Sequence, residues 1–267
     1  MIKLVTLTST LIAAAGIASA QSTTPVSIGT WAEIGNQSNT TYGATGSTGY
    51  ALSFTGTDGG ASGGQSQFDS GVTLSDGQSL VASYTVSNIV FADSSTQSMA
   101  FRAGFEYNTG SALESKLHYM FHTGSSQTNF RIGGDESGTI FSRGSILENV
   151  GNLSGANPLV TGNTSEFELT LTLIGQNSVD PTIFDYQASV ERDGVSLTSS
   201  TFTRNTNTWT SLYIYENDSD LGVDGDSFTI SDVSVAVTAI PEASHGAFLI
   251  SLASVGFIAY RRRAKKA

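Results

Sequence analysis

Alternation of apolar and polar positions runs through most of the chain. In "FELTLTLIG", Phe167, Leu169, Leu171 and Leu173 fall on one side, and Glu168, Thr170 and Thr172 on the other. That period of two is the mark of a half-buried strand. "FDYQASVERDGVSLTSSTF" reads as a hairpin turning at Asp193-Gly194, because an Asp-Gly pair between alternating runs supplies the left-handed backbone that a tight turn needs. Further strands are predicted in "YALSF", "SLVASYTVSNIVFA", "MAFRAGFEY", "NFRIGG" and "WTSLYIYE". In "SFTISDVSVAV" the phase set by Phe228 and Ile230 reverses at Val233, Val235 and Val237, which places a β-bulge near Ser231-Asp232. The Gly/Ser-rich stretches "GATGSTG" and "GTDGGASGGQS" read as surface loops, since strands resume on both sides.

Roughly a dozen strands with turns every 8–15 residues predict an all-β fold, an antiparallel β-sandwich or jelly roll. About 220 residues suffice for one core, and the chain has no cysteine, so core burial, with or without help from a metal, must hold it.

Both ends break the alternation. "MIKLVTLTSTLIAAAGIASAQ" has an early base (Lys3), an apolar run and Ala18-Ser19-Ala20, the layout of a secretory signal peptide cut before Gln21. At the other end, fifteen uncharged residues, 246–260, precede Arg261, Arg262, Arg263, Lys265 and Lys266. As a helix that run reaches only about 22 Å, enough for a thinned bilayer, with the bases held on the cytoplasmic side. The expected organisation is a signal helix over 1–20, a sandwich over 21–239 and a tail over 240–267.

Pro241-Glu242-Ala243, the short apolar helix and the basic end resemble the PEP-CTERM sorting signal. In that family the tripeptide is usually Pro-Glu-Pro, and this chain has Ala243 at the third place. The resemblance implies signal peptidase and an exosortase-like transpeptidase as partners, transient membrane anchoring, and delivery to the cell surface or extracellular matrix. "MAFRAGFEYNTGS", "FELTLTLIG" and "DSFTISDVSVAV" resemble, more loosely, the concanavalin A-like lectin/glucanase sandwich.

Charge narrows the partners. Six of the twelve bases and one of the twenty-three acids lie in the terminal segments, leaving six bases against twenty-two acids in the body. Such a body repels phosphate backbones and excludes nucleic acid as a partner.

The candidate chemistry is sparse. In "SALESKLHYMFH", a helix would stack His118 and His122 for a shared metal, whereas a strand would set them about 13 Å apart on one face. The aromatic content favours the strand. Glu-x-Asp-x-x-Glu, which the glucanase resemblance would require, is absent, and Glu166/Glu168 and Asp135-Glu136 lack its spacing. The chain is therefore expected to be non-catalytic and polysaccharide-binding, with a divergent polysaccharide-degrading enzyme or a purely structural matrix protein as alternatives. Trp209, Tyr213 and Tyr215, in phase on "WTSLYIYE", form a candidate sugar-stacking stripe, the alternative being a strand packed on both faces between two sheets. Arg102 and Glu106 share the polar side of "FRAGFEYN", as candidate ligand-binding residues or as a pair with each other. In "YENDSDLGVDGDSF", Asp218, Asp220, Asp224 and Asp226 are candidate Ca²⁺ ligands, since crowded carboxylates suit a hard cation; a solvated acidic turn is the alternative.

Overall fold

A computed structural model describes residues 22–35, 39–55, 61–91, 101–108, 113–124, 127–134, 145–153, 155–156, 159–216 and 225–239. The signal segment, the Pro241-Glu242-Ala243 motif, the apolar run with its basic end, and Asp218, Asp220 and Asp224 lie outside those residues. Thr23–Ile240 forms one compact unit.

The strands are β1 (Ser22–Pro25), β2 (Ala32–Gly35), β3 (Thr40–Ala44), β4 (Tyr50–Phe54), β5 (Ser62–Thr73) and β6 (Gln78–Val90). Next come β7 (Phe101–Asn108), β8 (Leu113–Gly124), β9 (Gln127–Gly134), β10 (Ser145–Asn152) and β11 (Ser165–Gln176). The last are β12 (Phe184–Arg192), β13 (Val195–Thr198), β14 (Phe202–Arg204), β15 (Thr208–Glu216) and β16 (Ser227–Ala239). One sheet runs β13-β12-β11-β6-β16-β4-β3, with β1 on β16 and β14 on β12; the other runs β10-β9-β8-β7-β15-β5-β2. Neighbouring strands pair antiparallel, as in β11–β12, β6–β16, β7–β8 and β7–β15. The described residues contain no helix.

The alternating apolar residues meet between the sheets. Leu80, Ala82, Leu169, Leu171 and Ala188 of the nine-stranded sheet pack in one core with Ala103, Phe105, Leu117, Ile132 and Ile214 of the seven-stranded one. Full burial of each large aliphatic or aromatic side chain contributes roughly 1.5–3 kcal/mol. Tyrosines tie the sheets to each other at their polar tips: the Tyr50 hydroxyl donates to the Ile214 carbonyl at 2.6 Å, and that of Tyr119 to Thr170 at 2.7 Å.

The antiparallel sandwich is as the alternation predicts, and so are two local features. Asp193 (φ 50°) and Gly194 (φ 80°) form the β12–β13 turn. The register of β16 against β6 slips between Ser231 and Ser234, with Asp232 left-handed at φ 55°.

One loop assignment is corrected. The second half of "GTDGGASGGQS" is not a loop but the start of β5, an interior strand between β15 and β2. Its glycines are there because rings lie over Gly64 and the neighbouring β15 chain crowds Gly63. A Cβ on Gly64 would come within 2.7 Å of the Tyr50 ring and 2.9 Å of Trp31; one on Gly63 would come within 2.5 Å of the Tyr215 side chain. Strand glycines here mark close approach rather than a turn.

Candidate functional site

The outer face of the seven-stranded sheet carries polar groups in three rows set by the strand register. One row runs Gly63, Tyr215, Arg102, Met120, Arg131 from β5 to β9; the next runs Gln65, Tyr213, Gly104, His118, Gly133. The third holds Ser211, Glu106 and Lys116. Alternation explains the set, because each of these positions neighbours a core residue such as Ala103, Phe105, Leu117 or Ile214.

These groups are sheltered. Tyr213, Tyr215, Lys116 and His118 are fully buried and Glu106 nearly so, and Arg102 is only 9% exposed. Gln65, Asn108 and Arg131 are half-buried.

Glu106 is held by several donors. Gln65 and Asn108 donate through their amides, the latter at 3.0 Å, and the Ser211 hydroxyl donates at 3.3 Å. Burial pushes the Glu106 carboxyl above its ordinary range; the Asn108, Ser211 and Gln65 hydrogen bonds and the Lys116 charge oppose the shift. Arg102 donates to the Tyr215 hydroxyl at 3.2 Å. The phenols of Tyr213 and Tyr215 are both pushed up, chiefly by burial, with Arg102 opposing in each case.

Tyr213 and His118 form a pair. The Tyr213 hydroxyl lies 2.8 Å from the Leu117 carbonyl and 2.7 Å from His118 Nδ1. A carbonyl only accepts, so the single phenolic proton goes to Leu117 and His118 Nδ1–H donates to the phenol oxygen. In the neutral imidazole this assignment leaves the lone pair on Nε2. Gly104 makes the pair possible: a Cβ there would sit 1.8 Å from the Leu117 carbonyl oxygen and 2.7 Å from the Tyr213 hydroxyl.

Of the candidate residues, the structure places Arg102, Glu106, Tyr213 and Tyr215 on one sheet face, but not Trp209. The register of β15 against β5 slips between Trp209 and Ser211. This reverses the phase, so Trp209 is fully buried in the inter-sheet core against Phe105 and Tyr186. The stripe is therefore two tyrosines, and they are buried rather than exposed. His118 and His122 lie on a strand, β8. Asp226, the one candidate metal ligand among the described residues, is buried where β16 begins, and its carbonyl accepts from the Phe54 amide at 2.8 Å. Gln65, Lys116, His118 and Arg131 complete the site; strand glycines at 63, 104 and 133, which lie in its rows, are the sequence signal for it.

No family model matches the chain, and no curated protein matches it. Among solved structures it is similar to the alginate lyase Aly36B, at 14% identity over 80% of this chain and 88% of that one, with a TM-score of 0.46. A Lotus tetragonolobus seed lectin matches at 9% identity over 81% and 99% of the two chains, TM-score 0.42. An endo-1,3-β-glucanase from Streptomyces sioyaensis matches at 11% over 82% and 97%, TM-score 0.42. Likeness at these scores identifies neither a ligand nor an activity for this chain.

Proposed function

We propose that the protein is an exported surface or matrix component that binds polysaccharide on the outer face of its seven-stranded sheet and is sorted through its C-terminal tail. The observation that supports binding is the sheltered polar lattice itself. Removing a charged group from water costs several kcal/mol unless it is paired, and packing such a face with apolar residues is often as stable or more so. A sandwich that needed only to fold would leave Arg102, Glu106, Lys116 and His118 in solvent. Fixed donors and acceptors set in a sheet face are what the hydroxyl groups of a sugar require. A glycan array on the purified protein tests this: bound glycans are expected, with binding weakened by Gln65→Ala. Absence of any bound glycan would refute the reading.

A second reading, a polysaccharide-degrading enzyme, is favoured by the Tyr213–His118 pair. An imidazole oriented by a tyrosine hydroxyl at Nδ1 is the arrangement that positions a general base. Paired carboxylates of a glycoside hydrolase are not found in the lattice, where Glu106 is the single described carboxylate. Release of reducing ends from a glycan that the array identifies, abolished by His118→Ala, would select this reading; unchanged polymer would select binding alone.

A further inference from the structure

Each sheet is joined across its middle by one of the last two strands of the chain. In the seven-stranded sheet β15 lies between β7 and β5, and in the nine-stranded sheet β16 lies between β6 and β4. The strands between them in sequence, β6 to β14, pair among themselves without either. β7 to β10 pair in chain order, and β6, β11, β12, β13 and β14 make the other half-sheet. The first five strands are placed differently. β2 pairs with β5 and β3 with β4, but among the described residues β5 joins the rest of its sheet only through β15, and β4 and β1 only through β16.

Contacts to these two late strands span most of the chain. The Tyr50 hydroxyl reaches the Ile214 carbonyl across 164 residues, and the Thr73 and Thr208 hydroxyls meet at 2.9 Å across 135. The Val26 amide donates to the Val235 carbonyl at 2.8 Å, and the Tyr50 ring packs edge-on against Phe228. Separations of this size slow folding, because the ends of a long loop must meet before their pairing offsets the lost freedom.

The early strands are weak by themselves. β1 to β4 hold only four or five residues each, and β1 is exposed throughout. β5 opens with Ser62-Gly63-Gly64, and glycine inside a strand weakens it. Short, polar edges of this kind also resist pairing with a wrong chain while they wait.

From this topology we infer that β15 and β16 act as a late clasp, one strand per sheet, without which β1 to β5 are not ordered. A chain made from its N-terminus displays residues 22–73 first and residues 208–239 last. The sandwich therefore remains open until synthesis is nearly complete, the state in which a chain can be threaded through a membrane. That last consequence rests on the reading of the protein as exported; the order of closure does not.

The test follows refolding of the full chain by pulsed hydrogen exchange, with protection read segment by segment in the mass spectrometer. Amides of β8 and β9 are expected to gain protection in an early phase, and those of β4, β5, β15 and β16 together in the last. Protection of β4 or β5 ahead of β15 and β16 overturns the inference, as does a single phase in which all strands gain protection at once. A circular permutant of residues 22–239, opened between Arg204 and Asn205 and joined from Ala239 to Ser22 by a short linker, brings the clasp next to β1. In it β4 and β5 are expected to be protected no later than β8 and β9; if they remain last, chain order does not set the sequence of events and the clasp is rejected. Export is read separately, with the permutant and the natural order behind the same N-terminal segment 1–21. Lower export of the permutant is expected. Equal export beside the expected protection order rejects the threading consequence and leaves the clasp standing, whereas absence of the natural chain outside the cell removes the exported reading itself.

Discussion

At the scale of residues, the site depends on what is missing from Gly104 as much as on what its neighbours carry. Gly104→Ala puts a methyl group against the Leu117 carbonyl and the Tyr213 hydroxyl, and backbone cannot retreat as a flexible side chain can. The expected cost is about 1–3 kcal/mol, as for overpacking elsewhere, read as a lower urea midpoint; an unchanged midpoint would show that Tyr213 does not lie over Gly104. Glu106 gives a pH signature. Its carboxyl is raised above the ordinary value of 4.5, so between 4.5 and that raised value the native state binds more protons than the unfolded chain. The stability it contributes is present below that window and is lost as pH rises through it. Glu106→Gln is expected to flatten this part of the stability–pH curve, and identical slopes in wild type and variant would contradict the shift. Arg102, Glu106, Tyr213 and Tyr215 were legible because alternation alone assigns them a face. Gln65 was hidden in a glycine-rich stretch that looks like a loop, and the role of the strand glycines depends on atoms contributed by strands distant in sequence.

At the scale of elements, two bulges show what makes a phase change readable. The slip in β16 has three in-phase valines beyond it, so the reversal is visible in the sequence. The slip in β15 has only Trp209 on its far side, and one residue cannot announce a new phase; the wrong face for Trp209 follows directly. The β12–β13 turn was legible from Asp-Gly, but the extra duty of Asp193 was not. Its two carboxylate oxygens accept from the Glu166 amide at 2.9 Å and the Ser165 hydroxyl at 3.0 Å, and one lies 3.7 Å from buried Arg192. The turn therefore anchors the start of β11 as well as reversing the chain. Asp193→Ala loses these acceptors and places a Cβ without a compensating polar group at φ 50°. A loss on the order of 2 kcal/mol is expected in chemical denaturation. Asp193→Asn, which tolerates the left-handed backbone and keeps one acceptor, is expected to lose less. Equal losses would assign the whole effect to charge next to Arg192.

At the scale of the whole molecule, the two terminal segments and the sandwich obey different rules, and composition separates them. The sandwich keeps three described bases on one sheet face and two inside, whereas the tail concentrates five bases in six positions, Arg261 to Lys266. A cluster of that density beside an apolar run serves to fix orientation at a membrane. On the proposed sorting route it is discarded. The exported protein is therefore expected to begin at Gln21 and to lack Arg261–Ala267, with a net charge more negative than the −11 of the full chain. Intact-mass measurement of protein collected outside the cell reads both ends at once. Replacing the five tail bases with glutamine is expected to reduce the exported, shortened form while leaving the sandwich's melting temperature unchanged, because none of the five belongs to the compact unit Thr23–Ile240. Exported protein that retains Arg261–Ala267 would reject transient anchoring, and a melting temperature that falls with the tail substitutions would make the tail part of the fold.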